Sequence, residues 1–178
     1  MTNDLWHRIN QIPGWLSRVE AECLQRYAAP CKDVLEIGAY CGRSTVTMAL
    51  ALTVELATVF SIDHHKGDEG TGPADTLTAF RDNVRAFGVE GKVVPMIGTV
   101  NDVAKLWTKD ACVDMAFIDG AHDVASVTRD LALALRLVKS GGRILLHDRT
   151  YPGVVAAMRA HGVEAVEVAG SIAVCERR

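Results

Sequence analysis

Apolar residues recur along this chain with two different periods. Short apolar runs at positions 34–37, 59–62, 93–97, 113–118 and 144–146 have the length and β-branched content of buried strands. Between them apolar positions fall three and four apart, as on one face of a helix. One such face carries Leu16, Val19, Cys23 and Tyr27, after Pro13-Gly14 separates it from a short first helix. Another runs from Ser44 to about Ala51, with Val46, Met48, Ala49 and Leu52 as core candidates. A third holds Leu77, Phe80, Val84 and Phe87, with Pro73 suited to its first turn and Gly88 to the position just past its end. A short helix is expected at 103–107. Val127, Leu131, Ala134, Leu135 and Val138 mark a longer one, with Lys139 in its last turn and Gly141-Gly142 closing it. Pro152 can open one more helix, to about His161. Two final runs, 163–168 and 172–175, flank Ala169-Gly170-Ser171 and read as a hairpin.

Strands that alternate with helices predict an α/β fold with a mainly parallel sheet. Right-handed crossovers then bring the C-terminal ends of the parallel strands to one edge, where open α/β sheets bind ligands. Pro95 inside the third run argues for an edge strand. The 178 residues suit a single domain, with helices over 1–30 and a core over 31–178.

Composition narrows the partners more than the fold. The net charge is −3, from 19 Lys+Arg against 22 Asp+Glu, and no basic stripe stands out, so nucleic-acid binding has no visible electrostatic footprint. The five cysteines are scattered, odd in number and without a C-x-x-C pair, which predicts reduced thiols and a cytoplasmic setting. No apolar run approaches the ~20 residues of a membrane span, and the first residues have no signal-peptide pattern. Oligomeric state is not legible, and a homo-oligomer is compatible with the composition.

Candidate chemistry gathers where strands end. The first strand enters a loop, Gly38-Ala-Tyr-Cys-Gly42, before the helix at Ser44. Strand, glycine loop and helix in that order let backbone approach a ligand closely, although such a loop is often only a tight turn. Its spacing is G-x-x-x-G, without the third glycine of a dinucleotide fingerprint. Asp63, Asp119 and the pair His147-Asp148 each directly follow a strand run. An acid such as Asp63 at the end of the second strand can accept both hydroxyls of a ribose, or it can cap a turn. His64 and His65 follow it, and the stretch from Lys66 to Gly72 is glycine-rich enough to serve as a lid. Thr99 and Asn101 are candidates to approach an adenine. His122 is either a helix cap or a proton acceptor, and His147 more often a structural hydrogen-bonding group than a direct metal ligand.

Taken together, Glu36-Ile-Gly-Ala-Tyr-Cys-Gly-Arg-Ser-Thr45, Asp119-Gly-Ala-His122 and Gly141-Gly-Arg-Ile-Leu-Leu-His-Asp148 resemble the small class I S-adenosylmethionine (SAM)-dependent O-methyltransferases. This group includes the macrolide-sugar O-methyltransferases and the cephalosporin hydroxylase-related proteins. The resemblance covers nearly the whole chain. It implies a Rossmann-like, seven-stranded sheet that ends in an antiparallel hairpin. It also implies that Glu36, Gly38, Ala39, Tyr40, Gly42 and Ser44 surround the methionine part of SAM, with Asp63 on the ribose and His64 and Asp119 beside the cofactor. Asp119 and Asp148 match the metal-binding acids of the metal-dependent members, with Mg²⁺ as the expected ion, and His122 matches their general base. The sugar-methylating members carry a second acid where this chain has His147, so the metal set reads here as Asp119, Asp148 and His147.

The chemistry implied is methylation of a hydroxyl on a small molecule, a sugar or natural product. A hard cation prefers oxygen ligands and stabilises a developing alkoxide. An imidazole suits proton removal near neutral pH. Trp6, Trp15 and Tyr151 could line an apolar acceptor pocket or belong to the core. Two other readings remain open: a SAM-binding protein without catalysis, and a nicotinamide-dependent oxidoreductase that would need a glycine loop this chain lacks.

Overall fold

The computed structural model describes residues 1–67 and 75–178. The helices are α1 (Asn3–Ile9), α2 (Arg18–Ala28), α3 (Arg43–Ala51), α4 (Leu77–Ala86), α5 (Val100–Val103), α6 (Val124–Leu137) and α7 (Pro152–Ala160). The strands are β1 (Asp33–Ile37), β2 (Thr58–Asp63), β3 (Val93–Ile97), β4 (Val113–Ile118), β5 (Val138–Leu146), β6 (Ala165–Ala169) and β7 (Ile172–Glu176). They form one seven-stranded sheet in the order β3-β2-β1-β4-β5-β7-β6. The first five strands of that order are parallel, and β7 pairs antiparallel with both β5 and β6.

The period-two alternation within each strand divides the core into two layers. Val34, Val59, Met115 and Phe117 pack with Ile9, Leu24, Met48 and Phe80 from α1 to α4. Leu35, Ile37, Ala116 and Ile118 pack on the other face with Val100, Val127, Leu131 and Ala157 from α5 to α7. β1 is central and buried on both faces, which is why its run has no polar residue on either side except Glu36. β3 lies at the sheet's edge, where Pro95 leaves no ladder partner wanting.

Several boundaries move from their expected places. α2 buries Glu20, Ala21, Cys23, Leu24 and Ala28, and Val19 faces solvent. Leu16 is buried, but it precedes the helix. The helical turn expected at 103–107 begins earlier, at Val100, because Thr99 and Asp102 form a reciprocal cap. α6 stops at Leu137, and Val138 already begins β5. Lys139 and Gly141-Gly142 therefore lie in a bulged strand rather than a helix end, and Lys139 binds Asp114 at 2.6 Å. Tertiary pairing with β4 overrides the helix-stop signal there. α4 starts at Leu77, and Pro73 lies outside the described residues, as does 68–72 of the expected lid.

Candidate functional site

The parallel topology places the C-terminal ends of β3, β2, β1, β4 and β5 along one edge in that order. Strands sit ~4.8 Å apart, so the β2–β3 end and the β4–β5 end of this row are separated by about 14 Å. Between them lies the loop from β1 to α3.

That loop is built by exclusion of side chains. Gly38 has φ of 90°, and a Cβ there would lie 2.2 Å from the carbonyl oxygen of Asp119. β1 and β4 thus touch backbone to backbone just past their last paired residues, and Asp119 N–H donates to Ile37 O at 2.8 Å. Gly42, also at φ of 90°, is the N-cap of α3. Ala39 is buried, and Tyr40 holds a left-handed conformation with its ring tilted against Trp15 at 5.3 Å. Trp15 is 69% exposed and so belongs to the surface beside the loop, whereas Trp6 packs on the core.

Glu36 and Ser44, expected around a cofactor's methionine part, turn away from the edge and bind each other. Glu36 has no exposed surface. It accepts hydrogen bonds from Ser44 Oγ (2.5 Å), Thr45 Oγ1 (2.5 Å) and Ser61 Oγ (2.6 Å). These bonds tie α3 and β2 to β1 behind the glycine loop. Burial pushes the carboxyl up to about 7, against the pull of those three hydroxyls. A folded-state value above the ordinary 4.5 means that the folded protein holds this proton more tightly than the unfolded chain. Stability is then greatest in acid and falls as pH rises from about 4.5 to about 7, by about 3 kcal/mol. Glu36→Gln should remove this part of the pH dependence. Denaturant unfolding of both proteins at pH 5 and pH 8 checks it, and identical slopes for the two would count against the assignment.

Asp63 closes the front of the loop. Its Oδ2 accepts from the N–H groups of Ala39 and Tyr40, each at 2.8 Å, and its Oδ1 from His65 N–H at 2.6 Å. The turn-capping role is therefore visible directly. Among the described residues these three bonds leave one lone-pair direction of the carboxylate for a ligand hydroxyl. Next to it, His64, Lys66, Ile97, Gly98, Thr99 and Asp102 line an open cleft of about 360 Å³ at the ends of β2 and β3. Thr99 faces this cleft while capping α5.

The other half of the edge carries the titratable cluster. One donor atom from each of Asp119, His122 and Asp148 lies within 4.8 Å of the others. His122 Nε2 is 2.9 Å from Asp148 Oδ2, yet the atom is buried and has no aligned hydrogen bond among the described residues. Asp148 sits at φ of 52°, a left-handed conformation uncommon outside glycine, and its Oδ2 lies near both His122 and His147. Tyr151 stacks on His122 at 4.8 Å and is half exposed. A Cβ on Gly153 would fall 2.0 Å from His122 O, so the first turn of α7 rests directly on the backbone that carries this histidine.

His147 is not in that three-residue group. It is 5% exposed and lies behind the two acids, with Nδ1 3.1 Å from Asp119 Oδ1 and 3.3 Å from Asp148 Oδ2. Burial opposes its protonation, but contact with Asp119 and the charges of Asp119, Asp148 and Glu20 outweigh it and raise the ring to about 9. Burial also pushes the Asp119 carboxyl above its ordinary value, against the pull of His147. The donor set Asp119–His122–Asp148 fits a divalent ion. It offers two carboxylate oxygens and one imidazole nitrogen that has no aligned hydrogen bond among the described residues.

Glu20 has no candidate role in the sequence reading. Ser17-Arg-Val-Glu20 does carry the capping-box signature, and the box forms. The sequence offers no sign that the same carboxylate also reaches Ser171 and faces His147.

A family model described as a methyltransferase domain matches residues 35–149. Among solved structures, the chain is similar to an O-methyltransferase from Bacillus cereus in complex with SAH. The identity is 18%, the TM-score 0.75, and the match covers 99% of this chain and 92% of that one. It is also similar to the O-methyltransferase TomG from Streptomyces achromogenes, involved in tomaymycin synthesis and in complex with SAM. There the identity is 22%, the TM-score 0.66, and the coverage 88% and 72%.

Proposed function

We propose that this chain, which belongs to the methyltransferase-domain family, is a SAM-dependent O-methyltransferase acting on a small hydroxylated molecule such as a sugar or natural product. The observation that carries the reading is the placement of the Asp119–His122–Asp148 cluster on the same sheet edge as the glycine loop and the cleft beyond Asp63. The two solved structures that hold SAM or SAH support the choice of cofactor.

The adenosine end of SAM fits the cleft lined by His64, Lys66 and Thr99, with Asp63 offering its remaining lone pair to the ribose. The backbone of Gly38 to Gly42 and the Asp119 end of β4 lie next along the edge, against the amino-acid part. SAM would supply an electrophilic methyl group on a sulfonium, whose carbon–sulfur bond breaks to release a neutral thioether as the acceptor oxygen bonds the methyl carbon in line.

This chain's residues then act on the acceptor. Asp148 orients the His122 ring from 2.9 Å, and His122 takes the hydroxyl proton as the oxygen attacks. Tyr151 packs on the same ring and restricts its rotation. Asp119 and Asp148 would hold a divalent ion, Mg²⁺ being the expected one, and such an ion stabilises negative charge on the acceptor oxygen. Holding donor and acceptor side by side contributes through proximity.

A second reading rests on the 4.8 Å grouping itself: His122 could serve as the third ligand, in which case the site would favour ions that accept nitrogen, such as Mn²⁺, over Mg²⁺. Chelation separates the parts. Turnover that collapses with chelator and returns with Mg²⁺ or Mn²⁺ supports metal assistance, whereas an unchanged rate leaves the two aspartates as polar site groups. Calorimetric titration with SAM, its demethylated product and NAD, each with and without Mg²⁺, tests the cofactor class. Binding of NAD in preference to SAM would overturn the proposal.

A further inference from the structure

Glu20 is a buried carboxylate on α2, 5% exposed and far in sequence from the acids at the sheet edge. Four hydrogen bonds fix it. Oε2 accepts from Ser17 N–H and Ser17 Oγ, both at 2.7 Å, and Oε1 accepts from Ser171 N–H (2.7 Å) and Ser171 Oγ (2.8 Å). The turn that carries Ser171 is shaped around it, since a Cβ on Gly170 would lie 2.6 Å from Glu20 Oε1. A carboxylate so held cannot rotate.

Its Oε2 faces His147 Nε2 at 3.6 Å, while the other nitrogen of that ring faces Asp119 and Asp148. His147 is itself enclosed, with Phe117 edge-on to the ring at 6.2 Å and neither nitrogen in an aligned hydrogen bond among the described residues. The imidazole thus has one anion fixed by hydrogen bonds behind it and two carboxylates in front.

We propose that Glu20 is a positioning residue for the acceptor site. It sets the orientation of the His147 ring, and through that ring it holds Asp119 and Asp148 where they face His122. This rests on the methyl-transfer reading only for its consequence, because the geometry exists in the free protein. It makes the first helices part of the site machinery and not simply a cover over the sheet.

The test uses the full chain with isotope-labelled histidine and needs neither metal nor acceptor. In the wild-type protein the ring N–H of His147, identified by its loss in His147→Gln, should exchange with solvent far more slowly than that of exposed His7. Glu20→Gln keeps the shape of the side chain and an acceptor oxygen. It should speed His147 exchange about tenfold or more and shift the His122 ring signals, because Asp148 touches both rings. In the His147→Gln background, Glu20→Gln should leave His122 where His147→Gln alone put it. Unchanged His147 and His122 signals in Glu20→Gln would overturn the inference, and so would an equal further shift of His122 in the double variant, since Glu20 would then act by another route. If Glu20→Gln does not fold, Ser171→Ala decides: it removes one bond that holds Glu20 Oε1, should speed His147 exchange and shift the His122 signals, and unchanged signals end the proposal. SAM titration of the wild-type sample reports on the methyl-transfer reading separately. Once an acceptor is known, Glu20→Gln should lower turnover about 10–100-fold, as loss of a supporting partner does at other sites, with the KM for SAM little changed.

Discussion

Gly38→Ala is expected to lower the unfolding midpoint by about 10 °C or more and to remove SAM binding. The added Cβ would sit 2.2 Å from a backbone oxygen, that of Asp119, and 2.5 Å from its carbonyl carbon. A flexible side chain could give way at such a contact, but backbone held in a sheet cannot. Gly38 N–H donates to Ile62 O and Asp119 N–H donates to Ile37 O, so both sides of the clash are pinned by hydrogen bonds. The φ of 90° adds strain for any residue with a Cβ. Together these put the cost at about 3–5 kcal/mol, in the range of the most damaging single substitutions. Gly88→Ala is the matched comparison. It also has positive φ, but a Cβ there meets nothing within 4 Å among the described residues, so about 1 kcal/mol is expected. Thermal unfolding of both variants checks the difference. Equal midpoints would show that the β1–β4 contact opens easily, which would undo the account of how the glycine loop is held.

His122→Ala should reduce methyl transfer about 10²–10⁴-fold, the usual contribution of a positioned general base, while SAM affinity stays close to wild type. The separation is expected because His122 belongs to the β4–β5 end of the edge, whereas the cleft proposed for adenosine lies at the β2–β3 end. Asp148→Asn should resemble it, since the amide keeps the size of the side chain but loses the charge 2.9 Å from His122 Nε2. Metal titration of the same variants distinguishes the two roles of the ring. A His122→Ala protein that binds Mn²⁺ like the wild type assigns the lost rate to proton removal, and one that no longer binds it assigns His122 to the ligand set. Full turnover in His122→Ala would remove this residue from the chemistry altogether.

The strand runs, the α7 start at Pro152 and the terminal hairpin were all legible, because local periodicity and proline chemistry decide them. The failures have a common cause. Lys139 and Gly141-Gly142 looked like a helix end, yet pairing with β4 draws Val138 straight into the sheet. Val19 fitted a helical stripe, but the docked face of α2 is rotated to bury Glu20 and Leu24. In each case a contact distant in sequence outweighed a local preference.

The site divides along the same line. Residue type and position after a strand were enough to bring Asp63, Asp119, His122 and Asp148 to one edge, since a parallel sheet with right-handed crossovers leaves no other place for them. What each side chain touches was settled only by packing. Glu36 accepts from three hydroxyls, Asp63 accepts from three N–H groups of its own and the neighbouring loop, and His147 stands between Glu20 and the two aspartates. Strand order follows from patterns read within a few residues. Side-chain partnership depends on distances between segments as much as 151 residues apart, such as Glu20 and Ser171, and no local pattern carries that.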